Sequence, residues 1–415
     1  PLTAAKLASI RSISVVGPNS GCVGDTPSDV PPGQCATTEG VDCGGSFDKF
    51  LFNLSQKGEK NGLPLNALTK SLKNTYYSKS VLELDRSQSA FNLSFADFTK
   101  QFVTEYRIVT GKKKMKEHSF LFDNVNKKFG VPKEVITAFW ALETDFGKVQ
   151  GNFHVLSSLA TLAFDCRRSE FFQKEYFSAV ELVEKRIIDA QGAMGAWAGE
   201  FGQIQMLPSD ILAFSLDGDG DGKIDLSNSP YDTIYTASRM LSELGWVANQ
   251  PWLEEVILPE DFRWEEAGFG RSRPLKKWQL LGVKPRQGYF SGNTEHTEAT
   301  LLLPQGWKGP KFIVYKNFGI FLEWNNSLLY ALTAAYLANL LKNQPVYISE
   351  NPEPILEKHQ IMELQIFLKE LGADVGKVDG ILGAKTRQAV RRLQISLQLP
   401  ADSWPTAKLL SILGL

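Results

Sequence analysis

The sequence predicts an α+β chain, mainly helical, that ends in a small separate helical domain. Three observations carry that expectation. From Phe47 onward, apolar residues recur at three- and four-residue steps, the period of a helix with one buried face. Residues 258–318 break this rhythm with Pro, Gly, aromatics and short alternating runs such as Phe312–Tyr315, which read as strand and loop. Around 344–354 the run Gln-Pro-Val-Tyr-Ile-Ser-Glu-Asn-Pro-Glu-Pro reads as a linker into a further unit.

Composition agrees with a packed, multidomain protein. The chain has 415 residues, 43% of them hydrophobic and 22% charged, room for two or three domains of ordinary make-up. The 45 basic residues against 46 acidic ones give a net charge of −1, without the basic excess of a nucleic-acid binder. The one local basic run, Lys112–Lys116, reads as a solvated surface or loop. No apolar stretch approaches the roughly 18 residues that cross a bilayer. The chain begins at Pro1 without Met or an apolar leader, so an exported origin is not legible at its N-terminus.

In chain order, residues 1–45 are rich in Gly, Pro, Ser and Thr and read as an irregular arm holding Cys22, Cys35 and Cys43. Their spacing is not that of a zinc site, and Cys22 follows Asn-Ser-Gly rather than an apolar lipobox. With Cys166 the even count suits disulfides in an oxidising compartment, against four unrelated thiols. Pro132–Gly147 is the clearest helix: Pro suits its start and Gly its end. Val135, Ile136, Phe139, Trp140, Glu143 and Phe146 share one face. Further helices are expected at about Phe171–Ala190, Thr233–Leu244 and Ser327–Leu341. After the linker, Leu356, Ile361, Leu364, Leu368 and Leu371 form a stripe closed by Gly372. Val390, Leu393 and Leu397 form another.

Glu143 stands where its helix wants an apolar residue. Burial disfavours the charged form of a carboxyl, the property a glycosidase general acid needs. A core Glu held by an Arg or by backbone donors would look the same. Asp145, two residues on and about 200° around a continuing helix, would point away.

Five blocks in order resemble the lytic murein transglycosylase B family between residue 47 and about 341. They are Leu84-Asp-Arg-Ser-Gln88, Ala141-Leu-Glu-Thr-Asp-Phe-Gly147 and Leu159-Ala-Thr-Leu-Ala-Phe-Asp-Cys-Arg-Arg168 through Phe172. Trp197-Ala-Gly-Glu-Phe-Gly-Gln-Ile-Gln-Met-Leu-Pro-Ser209 and Trp324-Asn-Asn-Ser327 with Tyr330 complete the set. The resemblance implies a lysozyme-like α+β catalytic domain over 46–343 and peptidoglycan glycan strands as substrate. It implies cleavage of the MurNAc–GlcNAc β-1,4 bond without water, with Glu143 acting as acid and then base. A hydrolase needs a second carboxylate to act as nucleophile or to activate water. An intramolecular C6 hydroxyl removes that need.

By position in the matching blocks, Arg167 and Arg168 would face the anionic part of the substrate, where guanidinium forks suit carboxylates. Gln203 and Gln205 would meet the sugar, and Trp324, Asn325 and Tyr330 would line the cleft. An ordinary ion pair for the arginines and a helix cap for Asn325 are the plain alternatives. The chain departs from the family pattern at Ala196, Glu200, Phe201, Phe98 and Trp324, which bears on sugar contacts rather than on the acid. The near-family run Gly192-Ala-Met-Gly195 falls too early and is read as a loop. Cysteine positions favour Cys43–Cys166 and Cys22–Cys35 as pairs.

Asp217-Gly-Asp-Gly-Asp-Gly-Lys-Ile-Asp225 runs as an EF-hand-like loop, with Asp217, Asp219, Asp221 and Lys223 at its first, third, fifth and seventh positions. Asn228 stands where a bidentate Glu closes such loops, and Asp232 lies four residues beyond. Family members hold a metal in a similar loop, so a structural Ca²⁺ is expected there and none is expected in the chemistry. An Asp/Gly turn satisfied by its own backbone is the alternative. Finally, Lys377-Val-Asp-Gly-Ile-Leu-Gly-Ala-Lys-Thr386 through Gln394 resembles the type 1 peptidoglycan-binding module. That resemblance implies an anchor to the insoluble polymer over residues 355–415. The whole reads as a monomeric periplasmic, wall-associated enzyme. A lysozyme-type hydrolase and a non-catalytic wall-binding protein are its rivals.

Overall fold

The computed structural model describes residues 45–86, 93–291 and 296–415. They fall into two compact units, residues 45–86 with 143–237, and residues 93–142 with the described part of 238–415. Cys22, Cys35 and Cys43, and with them the expected pairings, lie outside the described residues.

The first unit is helical. Helices Phe47–Lys60, Leu65–Lys73 and Lys79–Arg86 precede Val155–Phe164 and Ser169–Glu184. Val155–Phe164 is the core element, with Val155 to Ala163 all buried, and Ser169–Glu184 packs along it. The expected helix at Phe171–Ala190 thus starts earlier and ends earlier. Immediately before Val155–Phe164, β1 (Phe153–His154) pairs antiparallel with β2 (Met194–Gly195), which lies between Ser169–Glu184 and helix Pro208–Phe214. The Gly192–Gly195 run is therefore no plain loop. Its second half is a strand, and a side chain on Gly195 would come within 2.1 Å of the Glu200 carbonyl.

The second unit joins helices Phe95–Phe102, Glu105–Glu117, Ser119–Phe129 and Leu328–Leu341 to a five-stranded antiparallel sheet. The strands are β3 (Leu253–Ile257), β4 (Arg273–Pro274), β5 (Lys284–Pro285), β6 (Glu298–Leu302) and β7 (Phe312–Tyr315), in the order β4-β6-β7-β3-β5. The strand-and-loop expectation for 258–318 holds, with β7 at the residues expected. One helix, Leu275–Leu280, also sits there because Leu275 and Trp278 fill the sheet's core beside Leu301 and Ile313. Lys112–Lys116 belongs to helix Glu105–Glu117, where Glu117 pairs with Lys113 and Lys114 on a solvated face.

The C-terminal helices Lys358–Glu370, Ala384–Ser396 and Ala407–Leu413 have a core of their own around Ile361, Leu364, Leu368 and Val390. Gln365, buried, donates to the Ile381 carbonyl and the Thr386 hydroxyl and accepts from Asp379 and Gly380 N–H. One amide thereby sets the Asp379-Gly380 turn and the next helix's first turn. The module is also fastened to the β-bearing region. Asp402 accepts the Trp307 N–H at 3.0 Å, Arg387 donates to the Pro304 carbonyl, and Arg391 donates to that of Ala267. Gly306 permits this approach: a Cβ there would lie 2.5 Å from Asp402 Oδ2. The expected linker has no helix or strand, yet it is pinned. The Tyr347 ring lies against Phe95, Phe312 and Tyr336, and its hydroxyl meets that of Thr99.

Candidate active site and acidic loop

Glu143 is 1% exposed. Its helix, Lys133–Thr144, is buried on every side from Val135 to Thr144 rather than along one stripe. The helix stops three residues before the expected Gly147. Asp145, Phe146 and Gly147 take φ of 49°, 63° and 84° in succession, a left-handed turn that two non-glycine residues rarely adopt. Helical geometry therefore does not set the direction of Asp145. Gly147 is obligatory here, since its φ is positive and a Cβ would fall 2.5 Å from Gln203 Oε1.

A hydrogen-bonded frame holds this turn. Thr144 Oγ1 donates to the Gln203 carbonyl at 2.5 Å and accepts the Gly147 N–H at 2.8 Å. Gln150 Nε2 donates to the carbonyls of Gly147 and Ser227, and the Gln203 N–H donates to Leu226. Gln205, with φ of 49°, gives its amide nitrogen to the carbonyls of Gln150 and Gly202. Both glutamines expected at the sugar are thus buried beside the turn that follows Glu143, and Gln205 spends its donors on the frame.

Arg167 and Arg168 converge on Asp85, the buried acid of the Leu84–Gln88 block. Arg167 pairs with one of its oxygens, and Arg168 Nη2 lies 2.5 Å from the other. The Arg168 side chain is 16% exposed and also covers the Phe172 ring, whereas Arg167 is 52% exposed. Burial pushes both guanidinium groups below their ordinary value; Arg168 adds repulsion on Arg167, while Glu200 and Asp165 favour the charge on Arg168. Arg168 is therefore the more enclosed of the two; the more exposed Arg167 also pairs with Asp165 and donates to the Asp85 carbonyl. Glu200 is itself buried.

Sequence reasoning passed over Glu175. Its two oxygens accept the Ser209 N–H at 3.0 Å and the Ser209 hydroxyl at 2.7 Å, anchoring helix Pro208–Phe214 just after the glutamine block. Burial pushes this carboxyl up, and the Ser209 bonds partly offset the shift. An acid within the apolar run of its helix was the available signal.

In the acidic loop, carboxylate oxygens of Asp217, Asp219 and Asp221 lie within 4.8 Å of one another. Asp217 also accepts the N–H groups of Gly220 and Gly222. Asp232 is buried and ties the loop's ends together by accepting the N–H of Gly218 and of Asp225. Three converging carboxylates fit a hard cation taking oxygen ligands, and Lys223 could add only its carbonyl.

Trp324, Asn325 and Tyr330 belong to the second unit and are all buried. Trp324 stacks on Phe139 with centroids 4.4 Å apart. Asn325 Oδ1 accepts the Ser327 N–H, and Ser327 Oγ caps Tyr330 N–H at the start of helix Leu328–Leu341.

Residues 46–339 match the transglycosylase SLT domain family, and residues 358–413 match the putative peptidoglycan binding domain. The membrane-bound lytic murein transglycosylase B of Escherichia coli K12 is 26% identical over 329 residues, covering 72% of this chain and 89% of that protein. The crystal structure of SltB3 from Pseudomonas aeruginosa in complex with NAG-anhNAM-pentapeptide is 33% identical. It has a TM-score of 0.84 and covers 90% of this chain and 100% of that one. Escherichia coli Slt35 in complex with calcium is 25% identical with a TM-score of 0.59, covering 72% of this chain and 92% of that one.

Proposed function

Because the chain belongs to the transglycosylase SLT domain family and is a peptidoglycan lytic transglycosylase, we propose that Glu143 alone carries its acid–base chemistry. The observation behind this is a carboxyl 1% exposed near the end of a helix buried from Val135 to Thr144, since burial disfavours the charged form of a carboxyl. Glu143 gives its proton to the bridging oxygen between MurNAc and GlcNAc as the C1–O4 bond breaks. The carboxylate then takes the proton of the MurNAc C6 hydroxyl while O6 bonds to C1. No water is consumed, Glu143 ends protonated, and the product is a 1,6-anhydroMurNAc end.

In this reading Arg167 meets the anionic lactyl or peptide part of the strand, and Arg168 holds Arg167's surroundings through Asp85. Gln203 and Gln205 meet the sugar, and Trp324, Asn325 and Tyr330 keep the cleft-lining role that the family resemblance implies for them. Asp217, Asp219, Asp221, the Lys223 carbonyl and Asp232 hold or brace a Ca²⁺ whose positive charge would steady the loop. The likeness to Slt35 in complex with calcium supports that assignment. Residues 46–343 form the catalytic domain and 355–415 anchor it to the wall. The enzyme works as a monomer in the periplasm, with Cys43–Cys166 and Cys22–Cys35 disulfides that non-reducing peptide mapping would reveal. No helix among the described residues is long and apolar enough to cross a membrane.

Digestion of sacculi in ¹⁸O-water tests the chemistry. New ends that are one water lighter and free of label are expected. Labelled reducing MurNAc ends would make the enzyme a hydrolase.

A further inference from the structure

We propose that Thr144 is the positioning residue of the catalytic acid, acting through its hydroxyl; this rests on the reading of Glu143 given above. Thr144 is the last helical residue, wholly buried and next to Glu143 in the chain. Its hydroxyl is both donor, to the Gln203 carbonyl, and acceptor, from the Gly147 N–H. A hydroxyl used in both directions can hold one rotamer, and with it the last turn of the helix. The Thr144 carbonyl accepts the Val149 N–H as well, so the chain folds back on the helix end. Three consecutive positive φ values follow, a conformation that persists only when its surroundings over-determine it.

Those surroundings are three segments sewn together: 144–150, 202–206 and 226–227. Gln150 makes the second seam, donating to Gly147 and Ser227 while its carbonyl takes the Gln205 amide. The Gln203 peptide is held on both sides, its N–H on Leu226 and its carbonyl under the Thr144 hydroxyl. Thr144 is thus the side chain through which the loop carrying Gln203 and Gln205 meets the end of the acid's helix. A general acid works within a hydrogen-bond reach of about 2.6–3.2 Å. A displacement of about 1 Å can cost on the order of 10²-fold in rate.

The same helix supplies a control. Thr137, two turns earlier and equally buried, has a hydroxyl without a hydrogen-bond partner among the described residues.

The test compares Thr144→Val, Thr144→Ser and Thr137→Val with wild type on a soluble glycan, reading kcat, KM and the pH profile. Thr144→Val should lower kcat at least about tenfold, move the profile and leave KM within about twofold, since positioning errors of this kind fall on the chemical step. Thr144→Ser should restore kcat to within about threefold, and Thr137→Val should change neither parameter. If Thr144→Val does not fold, Gln150→Met loosens the second seam at a half-buried site and should lower kcat in the same sense. Wild-type kcat and pH profile in a folded Thr144→Val overturn the proposal. So does a Thr144→Ser as slow as the valine, which would assign the effect to the methyl group, or an unaffected Gln150→Met standing in for an unfolded valine variant. A fully active Thr144→Val beside an inactive Glu143→Gln removes the positioning role alone; an active Glu143→Gln removes the acid with it.

Discussion

Asp85 shows how much of a site can hang on one carboxylate. It is buried and faces both arginines, so Asp85→Asn leaves two guanidinium groups crowded without their shared anion. Breaking a buried pair on one side costs about 3–5 kcal/mol, and the exposure of Arg167 argues for the lower end. A fall of about 5–10 °C in melting temperature is expected; an unchanged melt would reduce the cluster to a surface ion pair. Glu175 gives a pH prediction. Its carboxyl is raised in the folded state, so its contribution is present below the unfolded value of about 4.3 and is lost as pH rises through the folded value. The melting temperature of wild type minus that of Glu175→Gln should therefore shrink as pH rises from acid toward neutral. A difference that grows instead would mean that the Ser209 bonds outweigh burial. The burial of Glu143 is legible in the sequence because an ionisable residue at an apolar helical step is conspicuous. Asp85 was not assigned a role, since nothing local says that it answers residues some eighty positions away. Thr144 was passed over because a threonine beside an acid carries no periodic signal.

At the scale of elements, helix existence was readable and helix ends were less so. The spacing predicts that the helix carrying Glu143 runs to Gly147, a C-terminal signal, but tertiary bonds from Thr144 to Gln203 and Gly147 turn the chain at residue 144. The strand at Met194–Gly195 was unreadable for a similar reason, since its partner Phe153–His154 is distant in sequence and only two residues pair. The acidic loop kept its expected form: Gly222 has φ of 86°, as the sixth position of such a loop requires. Its three converging carboxylates repel one another when empty, and a cation bound only to the folded loop stabilises it by mass action. Adding Ca²⁺ to metal-stripped protein should raise the melting temperature, and Asp219→Ala with Asp221→Ala should abolish the rise. A melt indifferent to millimolar Ca²⁺ would leave the loop a turn closed by its own backbone and Asp232.

Over the whole molecule, the sequence predicts a long helical region, a β-bearing stretch and a terminal module; the sheet and the terminal helices lie at the expected residues, and both belong to one compact unit. The fastening of that module was not readable, because it depends on single polar contacts: Asp402 to Trp307, Arg387 to Pro304 and Arg391 to Ala267. Burial pushes the Arg387 guanidinium down to about 10 despite the nearby Asp402, which marks a desolvated contact. Removing residues 350–415 should weaken sedimentation with sacculi, since an anchor raises local substrate concentration. It should also lower the melting temperature of what remains, because the Trp307 N–H and two carbonyls lose partners. Wild-type sacculus binding by the truncated protein would make the module structural only. The central claim, one buried carboxyl acting as acid and then base, is tested most directly by anhydro-muropeptide release from sacculi by Glu143→Gln, measured beside its thermal melt. The amide can neither give nor retrieve the proton, so a folded variant with less than about one per cent of wild-type release is expected, in line with the roughly 10²–10⁴-fold worth of general acid–base catalysis. Release above that level from a variant that melts like wild type would contradict the account.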